Sequence, residues 1–228
     1  FGGVEFPSPT IRTEADAFTY LVTPRFKLSP DVMAYARLAS GYRPGGPNQL
    51  TALGPFPTAF DPDRSYNYEI GLKGDMLDRT LTIDASVYYI DWKDLQVNIR
   101  DPATFFNYTA NASRARSQGV DLTVESRPLD GLTVAGWVAW NDAELTEDFP
   151  IGSTSAGSSG DRLPFSSRFS GNLSFDQDFS VGGMNAFFGS TVSYVGERKG
   201  SFTTTSDRQS LGAYTQVDLR GGVRKDAW

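Results

Sequence analysis

Three features of the sequence predict an all-β fold, antiparallel and up-and-down. Apolar and polar residues alternate with period 2 in run after run, no helix-period stretch exceeds two turns, and the connections alternate between short and long. In TLTIDASVYYI (80–90), Leu81, Ile83, Ala85, Val87 and Tyr89 fall on one face, with Thr82, Asp84, Ser86 and Tyr88 on the other. The split recurs in GVDLTVE, where Val120, Leu122 and Val124 oppose Asp121, Thr123 and Glu125. It recurs again in TQVDLRGGV, where Val217, Leu219 and Val223 oppose Gln216, Asp218 and Arg220.

Taken in order, the runs give about nine strands: 16–29, 32–43, 66–77, 80–99, 107–127, 132–147, 167–180, 185–198 and 212–225. The first two meet at Ser29-Pro30-Asp31, the next two at Leu77-Asp78-Arg79, then come Pro128-Leu129-Asp130-Gly131 and Val181-Gly182-Gly183. Each is a tight turn by its Pro, Asp or Gly chemistry. Between these turns lie Gly/Pro/Ser-rich stretches at 43–65, 148–163 and 199–212, with a shorter one at 100–107. With every second connection long, the long loops emerge along one edge of the sheet, as in bacterial outer-membrane barrels.

Composition removes whole classes of chemistry. The 228 residues carry 21 Lys+Arg against 27 Asp+Glu, a net charge of −6, and neither His nor Cys. Without them there is no Ser-His-Asp or Cys-His nucleophile, no His or thiolate zinc site and no haem or iron–sulfur ligation by those residues. The acidic balance disfavours nonspecific nucleic-acid binding. No run of about 18 apolar residues marks a spanning helix, and no secretory leader is read at Phe1.

A soluble β-sandwich would give the same alternation, so strand length and aromatic placement carry the membrane reading. Several runs reach 12 to 20 residues, beyond the usual 5 or 6 of soluble strands and enough for a tilted span. Aromatics gather near strand ends: Tyr20 and Phe26, Tyr35 and Tyr42, Tyr66 and Tyr68, Tyr89 and Trp92, Trp137 and Trp140, Phe169 and Phe175, Tyr194, Tyr214. This is the pattern of interfacial girdles. Arg37, Glu69, Lys73, Asp84, Asp121, Glu125, Asp218 and Arg220 share the face opposite the aliphatic residues, establishing a wet face.

Several blocks in the right order resemble the barrel of TonB-dependent outer-membrane receptors. They are YARLASGYRPGGPN (35–48), SYNYEIGLKGDMLDRTLTIDASVYYIDWKDLQVNI (65–99), NASRARSQGVDLTVESRPLDGLTVAGWVAWNDAEL (111–145), GDRLPFSSRFSGNLSF (160–175) and LGAYTQVDLRGGVRKDAW (211–228). The resemblance implies that residues 1–228 are a partial transmembrane β-barrel domain, about nine strands of a 22-stranded barrel, roughly strands 12 to 20. The final strands, the plug and its energy-coupling box would lie outside this chain. It also implies active import of a scarce solute, typically an iron–siderophore complex, cobalamin or a glycan fragment, and here a ferric siderophore or similar iron complex first, across the bacterial outer membrane, with TonB as the energy-coupling partner.

On the family's pattern, solute meets extracellular loops and the upper wall, here the segments 43–65 and 148–165. Tyr42, Arg43, Asn48, Gln49, Phe56 and Arg64 are the candidate ligand-binding residues, offering stacking, charge and amide groups. No resident cofactor, metal site or catalytic group is expected. A passive porin-like barrel, a soluble β-sandwich binding module and an enzymatic barrel are the competing readings, the last disfavoured by the missing His. Asn107-Tyr108-Thr109, Asn111-Ala112-Ser113 and Asn172-Leu173-Ser174 fit the glycosylation pattern but read as plain strand and loop residues. The acids Asp142, Glu144, Glu147 and Asp148 read as a solvated strand end, and Asp61 and Asp63 as loop residues.

Overall fold

The computed structural model describes residue 14 and residues 16–48, 57–101 and 103–224. Its strands are β1 (Leu21–Val22), β2 (Arg25–Lys27), β3 (Val32–Arg43), β4 (Gly46–Pro47), β5 (Ala59–Phe60), β6 (Asp63–Met76), β7 (Leu81–Lys93), β8 (Gln96–Arg100), β9 (Asn107–Asn111), β10 (Ala115–Leu129), β11 (Leu132–Leu145), β12 (Phe169–Val181), β13 (Met184–Val195), β14 (Arg198–Lys199), β15 (Ser210–Leu211) and β16 (Tyr214–Arg224).

One antiparallel sheet runs β1-β3-β6-β7-β10-β11-β12-β13-β16, with β2 also on β3. Each strand pairs with the next long strand in sequence, which is the up-and-down order expected. The first predicted strand, 16–29, is interrupted into β1 and β2. Pro24 between them lacks an N–H, although its carbonyl still accepts from the Ala36 N–H at 3.1 Å. The path has two ends and no closure among the described residues.

The register makes the two faces explicit. Across β3, β6, β7, β10, β11, β12, β13 and β16, one row reads Met33, Lys73, Asp84, Thr123, Trp137, Asn172, Ser193, Gln216. The adjacent row, one residue away in every strand, reads Val32, Gly74, Ile83, Val124, Gly136, Leu173, Val192, Val217. Among the described residues no second sheet covers this apolar row. Ile70, Leu173, Leu219 and Val223 are between 58% and 71% exposed. The accessible surface is 15230 Å², against about 10,200 Å² for a soluble globule of 24.9 kDa. A sandwich would have buried the apolar face, which is instead left uncovered among the described residues.

Four aromatics move off the expected girdle. Trp137 and Trp140 are three residues apart, so alternation sends them to opposite faces: Trp140 opposes Val120 and Phe169, and Trp137 opposes Thr123 and Asn172. Tyr35, Trp92 and Tyr214 likewise share the polar face, opposite Gly71, Ser65 and Val195. The apolar-face aromatics include Tyr68 and Tyr89, with rings 6.4 Å apart, and Phe169 and Tyr194, 6.0 Å apart.

The short turns sit where the sequence places them. Gly182 and Gly183, at φ +57° and +75°, connect the paired Val181 and Met184, the two-residue hairpin geometry that favours Gly at both positions. Leu77, Asp78 and Arg79 are all left-handed, at φ 52°, 54° and 66°. That turn is held by the Thr80 hydroxyl donating to the Leu77 carbonyl at 2.7 Å and by Arg79 reaching Asp31 at 3.0 Å.

The predicted strands 80–99 and 107–127 each divide. Asp94 turns left-handed at φ 59°, ending β7 in the sheet, and β8 and β9 form a separate hairpin. The second long connection is thus the whole of 94–114, with its own secondary structure.

Candidate functional site

Four long connections rise from one edge of the sheet and are tied to one another in sequence order. Residues 44–62 join 94–114 through side-chain amides. Gln96 donates to the Pro44 and Asp61 carbonyls at 2.8 and 3.2 Å, and Asn111 donates to the Asp61 carbonyl at 2.7 Å while accepting from the Asp61 N–H at 2.7 Å. The 94–114 hairpin joins 146–168 through main-chain bonds from Arg100 to Gly152 at 2.6 Å and from Thr154 to Asn98 at 2.8 Å. That loop joins 196–213 through Ala156 to Thr203, Phe165 to Lys199, and an edge-to-face contact of Phe149 with Phe202 at 5.0 Å.

Beneath these ties lies a small hydrophobic cluster of Leu95, Val97, Ala115 and Leu145, with Trp92, Phe149, Leu163 and Phe202 packed against it. This cluster buries apolar side chains between the loops and the strand ends, whereas the apolar row of the sheet is left exposed. At the hairpin tip, hydrogen bonds from the Thr104 N–H and hydroxyl, and from the Ala103 N–H, hold the Asp101 carboxyl below its ordinary pKa. The Ser210 hydroxyl and the Lys199 ammonium do the same for Glu197.

Below the loops the polar face carries a set of ion pairs and hydrogen bonds. Glu69 accepts from the Tyr35 hydroxyl at 2.6 Å and from Arg37 at 3.2 Å, and Lys73 donates to Asp84 at 2.5 Å. Arg220 pairs with Asp176 across Gly189, where a Cβ would lie 2.6 Å from the Arg220 Nε. Tyr35 lies over Gly71 in the same way, its ring 2.5 Å from where a Cβ would stand. Glycines in this wall open the space that lets long side chains lie flat along it.

The six residues singled out from the sequence are not brought to one place. Arg43 is on the polar face, bonded to Asp63 through Nε at 2.9 Å and lying 5.8 Å over Trp92. Tyr42 and Arg64 oppose each other in register on the other face, the one that carries Leu38 and Ile70. Asn48 is buried at 6% exposure and fully engaged: its amide donates to the Pro57 and Thr109 carbonyls at 3.0 and 2.9 Å and accepts from the Thr109 N–H at 2.8 Å. Gln49 and Phe56 lie outside the described residues.

Asp63, Gln96 and Asn111, none of them a candidate on the sequence, anchor the first two of these segments. Asp63, a loop acid beside Asp61 on the sequence, is 1% exposed at the start of β6. Its signal was faint: an acid at the start of a strand whose partner Arg43 ends the preceding one. Asp142, Glu144 and Glu147 meet Arg168, Arg116 and Arg114, and Asp148 accepts from the Ser159 N–H.

Comparison with known proteins joins this geometry to a family. The family model described as "TonB dependent receptor-like, beta-barrel" matches residues 3–228. The chain is 33% identical over 202 residues to the metal-pseudopaline receptor CntO of Pseudomonas aeruginosa, covering 86% of this chain and 26% of that protein. Among solved structures, the ferric yersiniabactin uptake receptor FyuA of Yersinia pestis aligns with a TM-score of 0.70 at 25% identity, over 89% of this chain and 29% of that one. The ferric preacinetobactin receptor BauA of Acinetobacter baumannii shares the fold at a TM-score of 0.72 and 19% identity, over 92% of this chain and 30% of that one. The chain thus spans about a quarter of the length of the curated relatives it matches. Alternating faces, one strand order and long loops along one edge agree with these matches: the chain belongs to the TonB-dependent receptor family, within its β-barrel.

Proposed function

We propose that this chain is part of the barrel wall of an active transporter in the bacterial outer membrane, importing a scarce metal complex of the ferric-siderophore type. The observation that carries the reading is the paired register rows, one charged and one apolar, in a chain of this family. The apolar row faces outer-membrane lipid, and the charged row faces a hydrated interior where ion pairs cost little. TonB supplies energy through a plug carried elsewhere in the native polypeptide. The similarity to receptors named for metal-pseudopaline and ferric yersiniabactin supports a chelated metal as cargo. The protein acts by binding and passage, not by bond-making chemistry.

In this reading the 43–65 segment meets the solute. Arg43 and Asn48 set its shape, Gln49 and Phe56 supply contact groups, and Tyr42 and Arg64 frame it from the outer face. The test is uptake of radiolabelled ferric complexes by cells in which the native full-length protein is the sole such receptor, with tonB intact or deleted. TonB-dependent accumulation is expected. Accumulation that persists without TonB would make the protein a passive barrel.

A further inference from the structure

The 146–168 and 196–213 loops border an open hollow of about 320 Å³ lined by Asp161, Arg162, Arg168, Lys199, Asp207 and Arg208, among others. Four cations face two carboxylates there, in a chain whose net charge is −6. Lys199 pairs with Glu197 at 3.2 Å and Arg168 with Asp142 at 3.6 Å. Among the described residues, Arg162 and Arg208 make no ion pair. Arg162 donates to the Glu197 main-chain carbonyl at 3.0 Å, and Arg208 donates to the carbonyls of Arg162 and Gly200 at 2.5 and 2.6 Å.

Arg208 also stacks on Phe202, 4.2 Å from the ring centroid, which fixes the plane of its guanidinium. Burial lowers the Arg208 pKa; Asp161 opposes that shift and the like charge of Arg162 reinforces it. Two neighbouring guanidiniums, half-buried and in no direct ion pair, gain from an incoming anion, and a phosphate accepts from the guanidinium N–H groups that the carbonyls leave over.

The location narrows the source. Arg162 bridges Glu144, four residues beyond Trp140 along β11, a rise of about 13 Å. Arg168 immediately precedes Phe169 of the same aromatic group. Glu144 continues the outer-face register through Arg116 and Asp91. Arg162 and Arg168 therefore lie on the loop side of the apolar-face aromatics, which in the outer-membrane reading is the level of the outer-leaflet headgroups.

We propose that Arg162, Arg168, Lys199 and Arg208 form a binding site for a phosphate-type anion at the membrane's outer surface. The lipid source rests on the outer-membrane reading above; the anion chemistry does not. The test uses the purified full-length receptor, stripped of lipid in detergent. Calorimetry follows its titration with lipopolysaccharide, with the same material after removal of its phosphates, and with inorganic pyrophosphate. Arg168 and Lys199 are substituted together by Gln, because Arg208 ties two loops through carbonyls; Arg79→Gln at the opposite rim is the control.

A phosphate-bearing probe should bind, at least tenfold more weakly in the double variant and unchanged in the control. Preference for phosphorylated over dephosphorylated lipopolysaccharide assigns the site to lipid, and binding of pyrophosphate alone assigns it to a free anion. Failure of every phosphate probe, or equal binding by the double variant, overturns the proposal. Neither TonB nor a metal complex enters the experiment, so that failure leaves the transport reading standing.

Discussion

Placing one arginine on either face of β10 separates the two sides of the sheet by energy. Leu122 opposes Ala85 and Val138 in the apolar row, whereas its neighbour Thr123 opposes Asp84 and Trp137 in the polar row. Leu122→Arg removes a lipid-facing Leu, worth about 1.5–3 kcal/mol of transfer from water. It also places a guanidinium in the apolar band at about 2–4 kcal/mol. The sum, about 4–7 kcal/mol, is comparable to the whole stability of an ordinary domain. Thr123→Arg puts the same group on the wet face beside Asp84, where an exposed pair changes stability by about 1 kcal/mol or less.

The assay is denaturant-dependent folding of the full-length receptor into lipid vesicles, read by heat-modifiable electrophoretic mobility. Leu122→Arg should abolish or severely reduce the folded band, while Thr123→Arg folds near the unsubstituted midpoint. Equal losses, or a larger loss for Thr123→Arg, would refute the face assignment and with it the membrane orientation.

Three further expectations concern local structure. Asp63→Ala strips Arg43 of its carboxylate partner; because Arg43 is half exposed, the cost falls below that of a fully buried pair, to about 2 kcal/mol. Amide exchange in residues 57–62 should accelerate relative to β7, and unchanged exchange would count against a fastening role for the Arg43–Asp63 pair. Gly71→Val drives a Cβ into the Tyr35 ring and should cost about 1–3 kcal/mol. Tyr35→Ala should remove most of that penalty in a double-mutant cycle, and an identical penalty in both backgrounds would show that the ring is not the obstacle.

The third concerns pH. Asp101 has a lowered folded pKa, so its ordering of the hairpin tip is complete above the ordinary carboxylate pKa and is lost as pH falls through the depressed value. Protection of the Thr104 amide should therefore persist through mild acid and disappear only in stronger acid, and Asp101→Ala should abolish it at all pH values. Loss of protection already at pH 5 would contradict the assignment.

What the sequence by itself determined is whatever a period of two residues fixes. The charged set from Arg37 to Arg220 shares one face, and the four short turns fall at their Gly, Pro and Asp signals, because side-chain alternation and turn chemistry are local. The same periodicity placed Trp137 opposite Trp140, but a reading that weighed only nearness to a strand end put both in one girdle. Strand 80–99 looked continuous because its alternation continues past Asp94; the left-handed residue that ends β7 has no local signature, since Asp is tolerated in either conformation.

The candidate site was less legible for a related reason. Arg43 and Asn48 were chosen for chemistry suited to a solute, and only the fold shows those groups occupied by Asp63, Pro57 and Thr109. The ties among the four loops join residues up to 61 positions apart in sequence, as in Asn48 to Thr109. The hollow around Arg208 is assembled from two loops that sequence order holds some 40 residues apart, Arg162 lying 46 positions from Arg208. Such contacts depend on strand register and loop packing together, so only the tertiary structure decides which polar groups are left for a partner.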